Sequence, residues 1–228
     1  MKNLAYRHEY KFVINLSDTI EMKKRLACCM EKDPHALSDG SYFVKSLYFD
    51  NLYDKALKEK IDGVDPREKF RIRVYNNDDS FIRLEKKGKV KGLATKVSER
   101  ISKELCEALL ERNFNEGFRA NPALFSELRV KMGYEMLRPK TIVTYQREAF
   151  ILGPGNIRVN LDRDIRSSRY AGNFFENDPE GVRALNVDFV VLEVKYGSFF
   201  PDFIADIVKV RNRMNTSVSK YAACRVYT

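Results

Sequence analysis

The chain has no tryptophan and only two histidines, His8 and His35, in 228 residues. Two histidines argue against a histidine-based catalytic triad and against a multi-histidine metal site. Four cysteines are present, Cys28, Cys29, Cys106 and Cys224, and no two form a CxxC pair. Zinc and disulfide frameworks are therefore not expected; the cysteines read as reduced, mostly buried thiols of a cytosolic protein. No apolar run approaches the ~18 residues that span a bilayer, and Met1 to Glu9 contain no apolar signal-peptide core. The glycines near 88–92 and 153–155 do not spell a phosphate-binding P-loop. No repeat, low-complexity tract or linker interrupts the chain, so one domain over residues 1–228 is expected.

What is abundant is charge. Lysine and arginine number 41 against 32 acidic residues, a net charge of +9, while hydrophobic residues make up 44% of the chain. That hydrophobic fraction suffices for a core. The cationic excess favours an anionic partner: nucleic acid, an acidic membrane surface or a phosphate-rich small molecule.

Local patterns give about eight strands and several amphipathic helices. Strands are expected over 4–15, 43–50, 69–75, 81–87, 93–100, 138–151, 157–162 and 187–196. Helices are expected over 18–31 (capped by Ser17 or Asp18), 52–61, 103–113 (capped by Ser102), 122–133 and 201–213. Asn76-Asn77-Asp78-Asp79 has the composition of a hairpin turn. Residues 163–185 read as irregular, with a helical turn near Pro179, and 217–227 carry no clear pattern.

Side chains two apart on a strand share a face. That rule groups Arg7, Glu9 and Lys11; Arg71 and Arg73; Arg83, Glu85 and Lys87; Lys96, Ser98 and Arg100; Tyr145 and Arg147; Arg158, Asn160 and Asp162; Glu193 and Lys195. The opposite faces are apolar: Phe70, Ile72 and Val74; Ile82 and Leu84; Val190, Leu192 and Val194. One such strand is an ordinary half-wet strand. At least six together, rich in arginine and glutamate at strand centres, fit a curved sheet with an apolar outside under helices and a charged inside. Enclosed cations repel each other and are costly to desolvate, so a polyanion, with or without a divalent metal, would offset what the few carboxylates do not.

The same residues carry a resemblance. Arg7-His8-Glu9-Tyr10-Lys11-Phe12, Leu47-Tyr48-Phe49-Asp50, Phe70-Arg71-Ile72-Arg73-Val74-Tyr75, Leu84-Glu85-Lys86-Lys87, Tyr145-Gln146-Arg147-Glu148-Ala149-Phe150, Arg158-Val159-Asn160-Leu161-Asp162, Leu192-Glu193-Val194-Lys195 and Ser219-Lys220-Tyr221 occur in this order along the chain. The ordered set resembles the VTC domain, the polyphosphate-polymerase branch of the CYTH-like triphosphate tunnel superfamily, in a stand-alone, prokaryotic-type form. Arg7 stands where the wider superfamily's first strand has a glutamate, which favours the VTC branch.

The resemblance implies an α+β fold: an antiparallel eight-stranded β tunnel with a charged lumen and flanking helices. It implies a metal-dependent phosphotransferase that makes polyphosphate from ATP. Arg71, Arg73, Arg147 and Lys220 would act on the transferred group. Lys11, Lys87, Lys96, Tyr145, Arg158, Lys195 and Ser219 would bind phosphates. Glu193, with Glu9 and Glu85 as further candidates, would bind Mn²⁺ or Mg²⁺. The alternative reading of Lys96 places it on an exposed turn. Two alternatives stay open: a tripolyphosphatase or nucleoside triphosphatase with the same site, and a non-catalytic polyphosphate-binding module. The expected partners are ATP, triphosphate or polyphosphate. No specific nucleic acid is expected, since no recognition-helix, RRM or KH pattern is present. The family's eukaryotic members add membrane helices, of which this sequence shows no trace. The expected location is the cytoplasm, with any membrane link at its inner face through a separate membrane-protein partner.

Overall fold

The computed structural model describes residues 8–91, 93–114, 122–170, 172, 174–176, 181–210, 215, 216 and 218–227. In chain order the elements are β1 (His8–Asn15), α1 (Leu16–Ala27), β2 (Glu31–Lys32), β3 (Ser41–Asp50), α2 (Lys55–Ile61), β4 (Arg67–Tyr75), β5 (Asp78–Val90), β6 (Leu93–Ile101), α3 (Lys103–Glu111), α4 (Ala123–Tyr134), β7 (Arg138–Leu152), β8 (Ile157–Arg169), β9 (Val182–Arg183), β10 (Phe189–Tyr196), α5 (Asp202–Val208) and α6 (Lys220–Arg225).

Eight strands pair in the order β1-β10-β8-β7-β3-β4-β5-β6, and the short β2 and β9 attach to β7 and β8. Every ladder is antiparallel. The sheet curls into a half-barrel. Among the described residues no ladder joins its two ends, β1 and β6.

The alternation read from the sequence holds across the sheet. Phe70, Ile72, Val74, Ile82 and Leu84 lie on the convex face in a core with Cys106 and Leu109 of α3 and Leu124, Phe125, Leu128 and Met132 of α4. Val190, Leu192 and Val194 lie in a second convex core with Met22 and Leu26 of α1 and Ile204 and Val208 of α5. Fully burying one such side chain is worth about 1.5–3 kcal/mol, so these two cores hold the helices on the outside. The concave face carries the charged residues together with a third, smaller apolar cluster.

Turns follow local chemistry. Tyr75 pairs with Asp78, and the two residues between them, Asn76 (φ 52°) and Asn77 (φ 55°), both have left-handed backbones. That is the two-residue turn whose twist suits a hairpin, and asparagine tolerates it better than most residues.

Four expectations need correction. Helix α1 is capped by Asn15, whose side chain accepts from the Asp18 backbone amide, and Asp18 answers as its capping-box partner; neither Ser17 nor Asp18 is the cap. The tract from 163 is not irregular: β8 runs on to Arg169. Its alternation changes step at Asp164, whose φ is 49°, so Arg158, Asn160 and Asp162 share the concave face with Ile165 and Ser167. The tail holds helix α6, capped by Ser219. Lys96 stands within β6 opposite Lys87, as the strand expected over 93–100 places it. Of the cysteines, Cys106 and Cys224 are buried, but Cys28 is exposed and Cys29 partly so. The expected turn near Pro179, residue Arg7 and residues 211–213 lie outside the described residues. Among the described residues no helix is long and apolar enough to cross a membrane.

Candidate functional site

The concave face of the sheet encloses a cavity of about 1270 Å³. Thirteen lysines and arginines line it against four aspartates and glutamates. Of the residues expected in the site, Glu9, Lys11, Arg71, Arg73, Lys87, Lys96, Arg147, Arg158, Lys195 and Ser219 line this cavity. Tyr145, Glu85 and Glu193 stand behind that lining and bond to it, and Lys220 bonds to Glu193 behind it.

Strand β4 supplies two arginines through its two-residue repeat. Arg71 donates to Glu85 Oε2 at 2.6 Å and to the Tyr48 hydroxyl at 2.9 Å. Glu85 is fully buried and also meets Lys96 Nζ at 2.5 Å. Burial pushes its carboxyl upward, but Arg71, Arg73 and Lys96 outweigh this and hold it well below the usual carboxylate range. Glu85 is thus a buried counter-ion beneath the wall of the cavity. Arg73 donates to Ser46 Oγ and to the Tyr145 hydroxyl, each at 2.9 Å. Its fixed bonds go to neutral hydroxyls, which orient the guanidinium without cancelling its charge.

Two lysines complete this wall. Lys87 of β5 makes no ion pair among the described residues. Burial, with Arg71 and Lys195 nearby, brings its ammonium well below the usual lysine range. Lys69 of β4 lies 5.4 Å from the Tyr48 ring and 5.6 Å from the Tyr221 ring, with Ser219 Oγ at 3.5 Å. Burial brings Lys69 down to about 8. Burial alone would raise Tyr48, but Arg71 and Lys69 bring it down to about 8. The sequence reading omitted Lys69, although it stands two residues before Arg71 on the same face.

The opposite wall is more balanced. Arg147 of β7 grips Asp162 of β8 with two bonds, 2.6 and 2.7 Å. Lys195 meets Glu193 at 2.9 Å and Glu9 at 3.6 Å, and Lys11 meets Glu9 at 3.3 Å. Arg158 bonds Asp33, Tyr42 and Asn160 at the rim. Against their burial, Lys195, Lys220, Lys11 and Arg147 keep Glu193 well below the usual range.

Helix α6 closes part of the concave side, and no sequence pattern announced it. Its Lys220 reaches Asp162 Oδ2 at 2.5 Å and Glu193 Oε1 at 2.6 Å. Tyr221 stacks on Tyr48 with ring centroids 4.8 Å apart and donates to Asp50 Oδ2 at 2.5 Å. Arg225 grips Asp54 with bonds of 3.0 and 3.1 Å. Around it Val143, Ile165, Ala184 and Cys224 form a third, concave core. The lumen is therefore charged along part of its surface and apolar under α6.

A divalent cation finds oxygen donors here but no complete cage. Among the described residues no three His, Cys, Asp or Glu side chains converge on one point. Glu193 and Asp162 instead share one cation, the Lys220 ammonium, and Glu9 Oε1 is buried without a hydrogen-bond donor. Magnesium and its relatives take one or two carboxylates and complete their shell with substrate phosphates. The carboxylates fit such an ion.

The family model described as the VTC domain matches residues 6–227. A Bacillus halodurans protein provisionally described as an adenylate cyclase aligns with 87% of this chain and 83% of its own, at 12% identity and a TM-score of 0.50. A conserved hypothetical protein from Pyrococcus furiosus covers 88% of this chain and 85% of its own, at 13% identity and a TM-score of 0.45. Among curated proteins nothing matches.

Proposed function

The chain belongs to the VTC domain family, and from that premise we propose that it is a metal-dependent phosphotransferase that builds polyphosphate from ATP inside its cationic cavity. The observation that carries this reading is the wall of Arg73, Lys69 and Lys87. Three desolvated cations there make no direct ion pair with a carboxylate among the described residues, and Glu85 and Glu9 act on Arg73 and Lys87 only from further off. Removing charge from water costs several kcal/mol per ion in effective terms unless a counter-charge compensates. A chain of phosphates supplies that counter-charge along its length.

Phosphoryl transfer asks the protein for positioning and charge neutralisation more than for covalent chemistry. Arg71, Arg73 and Arg147 would bind the non-bridging oxygens of the transferred group, and their guanidiniums are already oriented by Glu85, Ser46, Tyr145 and Asp162. Lys11, Lys87, Lys96, Arg158 and Lys195 would hold the flanking phosphates, with Ser219 donating a hydrogen bond. A terminal oxygen of the growing chain attacks the γ-phosphorus. The bond from that phosphorus to the β,γ-bridging oxygen breaks, and ADP leaves. Glu193, with Glu9 beside it, would hold Mn²⁺ or Mg²⁺, which when bound lowers the negative charge that the incoming oxygen must approach. The same reading has the protein act in the cytoplasm, with a separate membrane protein as its link to any membrane.

The test is incubation with ATP and Mn²⁺, with products resolved on a polyphosphate gel. A ladder of chains, absent in Arg71→Ala/Arg73→Ala, is the expected result. Orthophosphate alone would make the protein a hydrolase. Tripolyphosphate binding without turnover would make it a binding module.

A further inference from the structure

Lys220 holds a position that contact with a phosphate alone does not explain. Its ammonium sits between two carboxylates from different strands, 2.5 Å from Asp162 and 2.6 Å from Glu193. The Tyr145 ring lies on a third side, 5.2 Å from the nitrogen. Arg147 already satisfies Asp162 through two bonds, and Lys195 already satisfies Glu193. The pair of carboxylates is thus already neutralised, but it keeps oxygen lone pairs for one further cation, and Lys220 fills that seat.

A lysine in this seat cannot at the same time neutralise a phosphate with full effect. A divalent ion at Glu193 competes for the oxygens that Lys220 now uses. We propose that Lys220 is an exchangeable internal cation: it occupies the Glu193–Asp162 seat in the metal-free protein, and a divalent ion entering the seat expels its ammonium toward the phosphates in the cavity. The proposal rests on the reading that the site takes a divalent ion together with a polyanion, and it adds Asp162 to the residues that face that ion.

The exchange balances charge. A metal ion alone must push the ammonium into a cavity already lined by cations, which opposes entry. A polyanion alone finds Lys220 tied to its carboxylates. When both enter, the ammonium moves from carboxylate to phosphate while the metal takes its place. Each ligand then improves the other's affinity, as linkage requires. A direct consequence concerns the free protein. With Lys220 removed, the metal has no competitor, so metal binding tightens while triphosphate binding weakens. A lysine that served only as a phosphate ligand would weaken triphosphate binding and leave metal binding untouched.

Two measurements test this. The first is Mn²⁺ titration of the wild-type protein and of Lys220→Met, without nucleotide, followed by calorimetry or by the electron-spin resonance of free Mn²⁺. At least tenfold tighter binding to the variant is expected; equal or weaker binding to a folded variant overturns the proposal. The second needs no variant and stands if Lys220→Met fails to fold. Amine-reactive labelling of the wild-type protein, read by peptide mass spectrometry, compares Lys220 with and without Mn²⁺. Lys45, 1% exposed elsewhere in the sheet, serves as the control for unfolding. Labelling of Lys220 should rise severalfold with Mn²⁺ while Lys45 stays protected. Unchanged Lys220 labelling at saturating Mn²⁺ overturns the exchange, even if polyphosphate is made. Failure of tripolyphosphate to bind at all would overturn instead the reading on which the exchange rests.

Discussion

Replacing Glu85 with glutamine removes one negative charge and hardly changes shape. In the wild-type protein that carboxylate faces Arg71 at 2.6 Å and Lys96 at 2.5 Å, and it is fully buried. Breaking a buried pair from one side costs about 3–5 kcal/mol, because the surviving charge stays desolvated. Lys96 is partly solvated, with 44% of its side chain exposed, so the lower end of that range applies. For a chain of this length about 3 kcal/mol lowers Tm by roughly 6–12 °C. The pH dependence has a definite sign. Glu85 is held below its unfolded value, so its contribution is present above the ordinary glutamate pKa of about 4.3 and is lost as pH falls through the folded value. The gap in stability between wild type and Glu85→Gln should therefore narrow in acid. The distinctive expectation concerns ligand. Tripolyphosphate at about 100 times its Kd adds roughly 2.7 kcal/mol to the wild type. It should add more to Glu85→Gln, because it replaces the missing counter-charge of Arg71 and Lys96. Thermal melts at pH 7 and pH 4, each with and without tripolyphosphate, read all of this. A loss of less than about 2 °C at pH 7, or an equal gain from ligand in both proteins, would refute the reasoning.

Lys87→Met should raise the melting temperature of the free protein, since it deletes a desolvated, unpaired cation, and should weaken tripolyphosphate binding about tenfold in calorimetry. Lys69 is brought by burial to about 8, so the charge it offers a polyanion fades above that pH. Tripolyphosphate affinity should fall between pH 7 and 9. Stability of the free protein should rise over pH 8–10, because the unfolded chain binds the proton that folded Lys69 has released. Tyr48, also near 8, acts in the same direction; parallel falls in both quantities would contradict the assignment. Gly155→Ala should destabilise by about 1–3 kcal/mol in urea melts, because its φ is +76° and a Cβ there would lie 2.6 Å from the Phe199 carbonyl oxygen.

The sheet was legible because the signal is strong and local. Phe70-Arg71-Ile72-Arg73-Val74 alternates without a break, and a two-residue period has only one structural meaning on a curved sheet. The second half of β8 escaped notice because Asp164 turns left-handed and shifts the alternation, so the pattern cancels when read at one register. Helix α6 escaped for a different reason. It spans six residues, too short for a helical period, and its partners Asp50, Asp54, Asp162 and Glu193 lie far away in sequence. The burden of Asp162 was hidden likewise: its place on the charged face was visible, but its bonds to Arg147 and Lys220 depend on strands and a helix meeting across the fold. Lys69 could have been found by extending the Arg71–Arg73 spacing by one step.

The unjoined ends of the sheet have a mechanical consequence. Among the described residues, backbone hydrogen bonds fix the spacing of every neighbouring pair of strands, and none joins β1 to β6. Across that gap the groups that sense one another are charged: Lys87 on β5, Lys195 on β10, and Glu9 and Lys11 on β1. Three of these four are cations and push the two rims apart. A polyanion lying between them reverses the force and draws the rims together, acting as the missing stave of the barrel. On the proposed reading the bore of this half-barrel would be set by its contents and by ionic strength, whereas a barrel closed by hydrogen bonds would keep one diameter whatever it held.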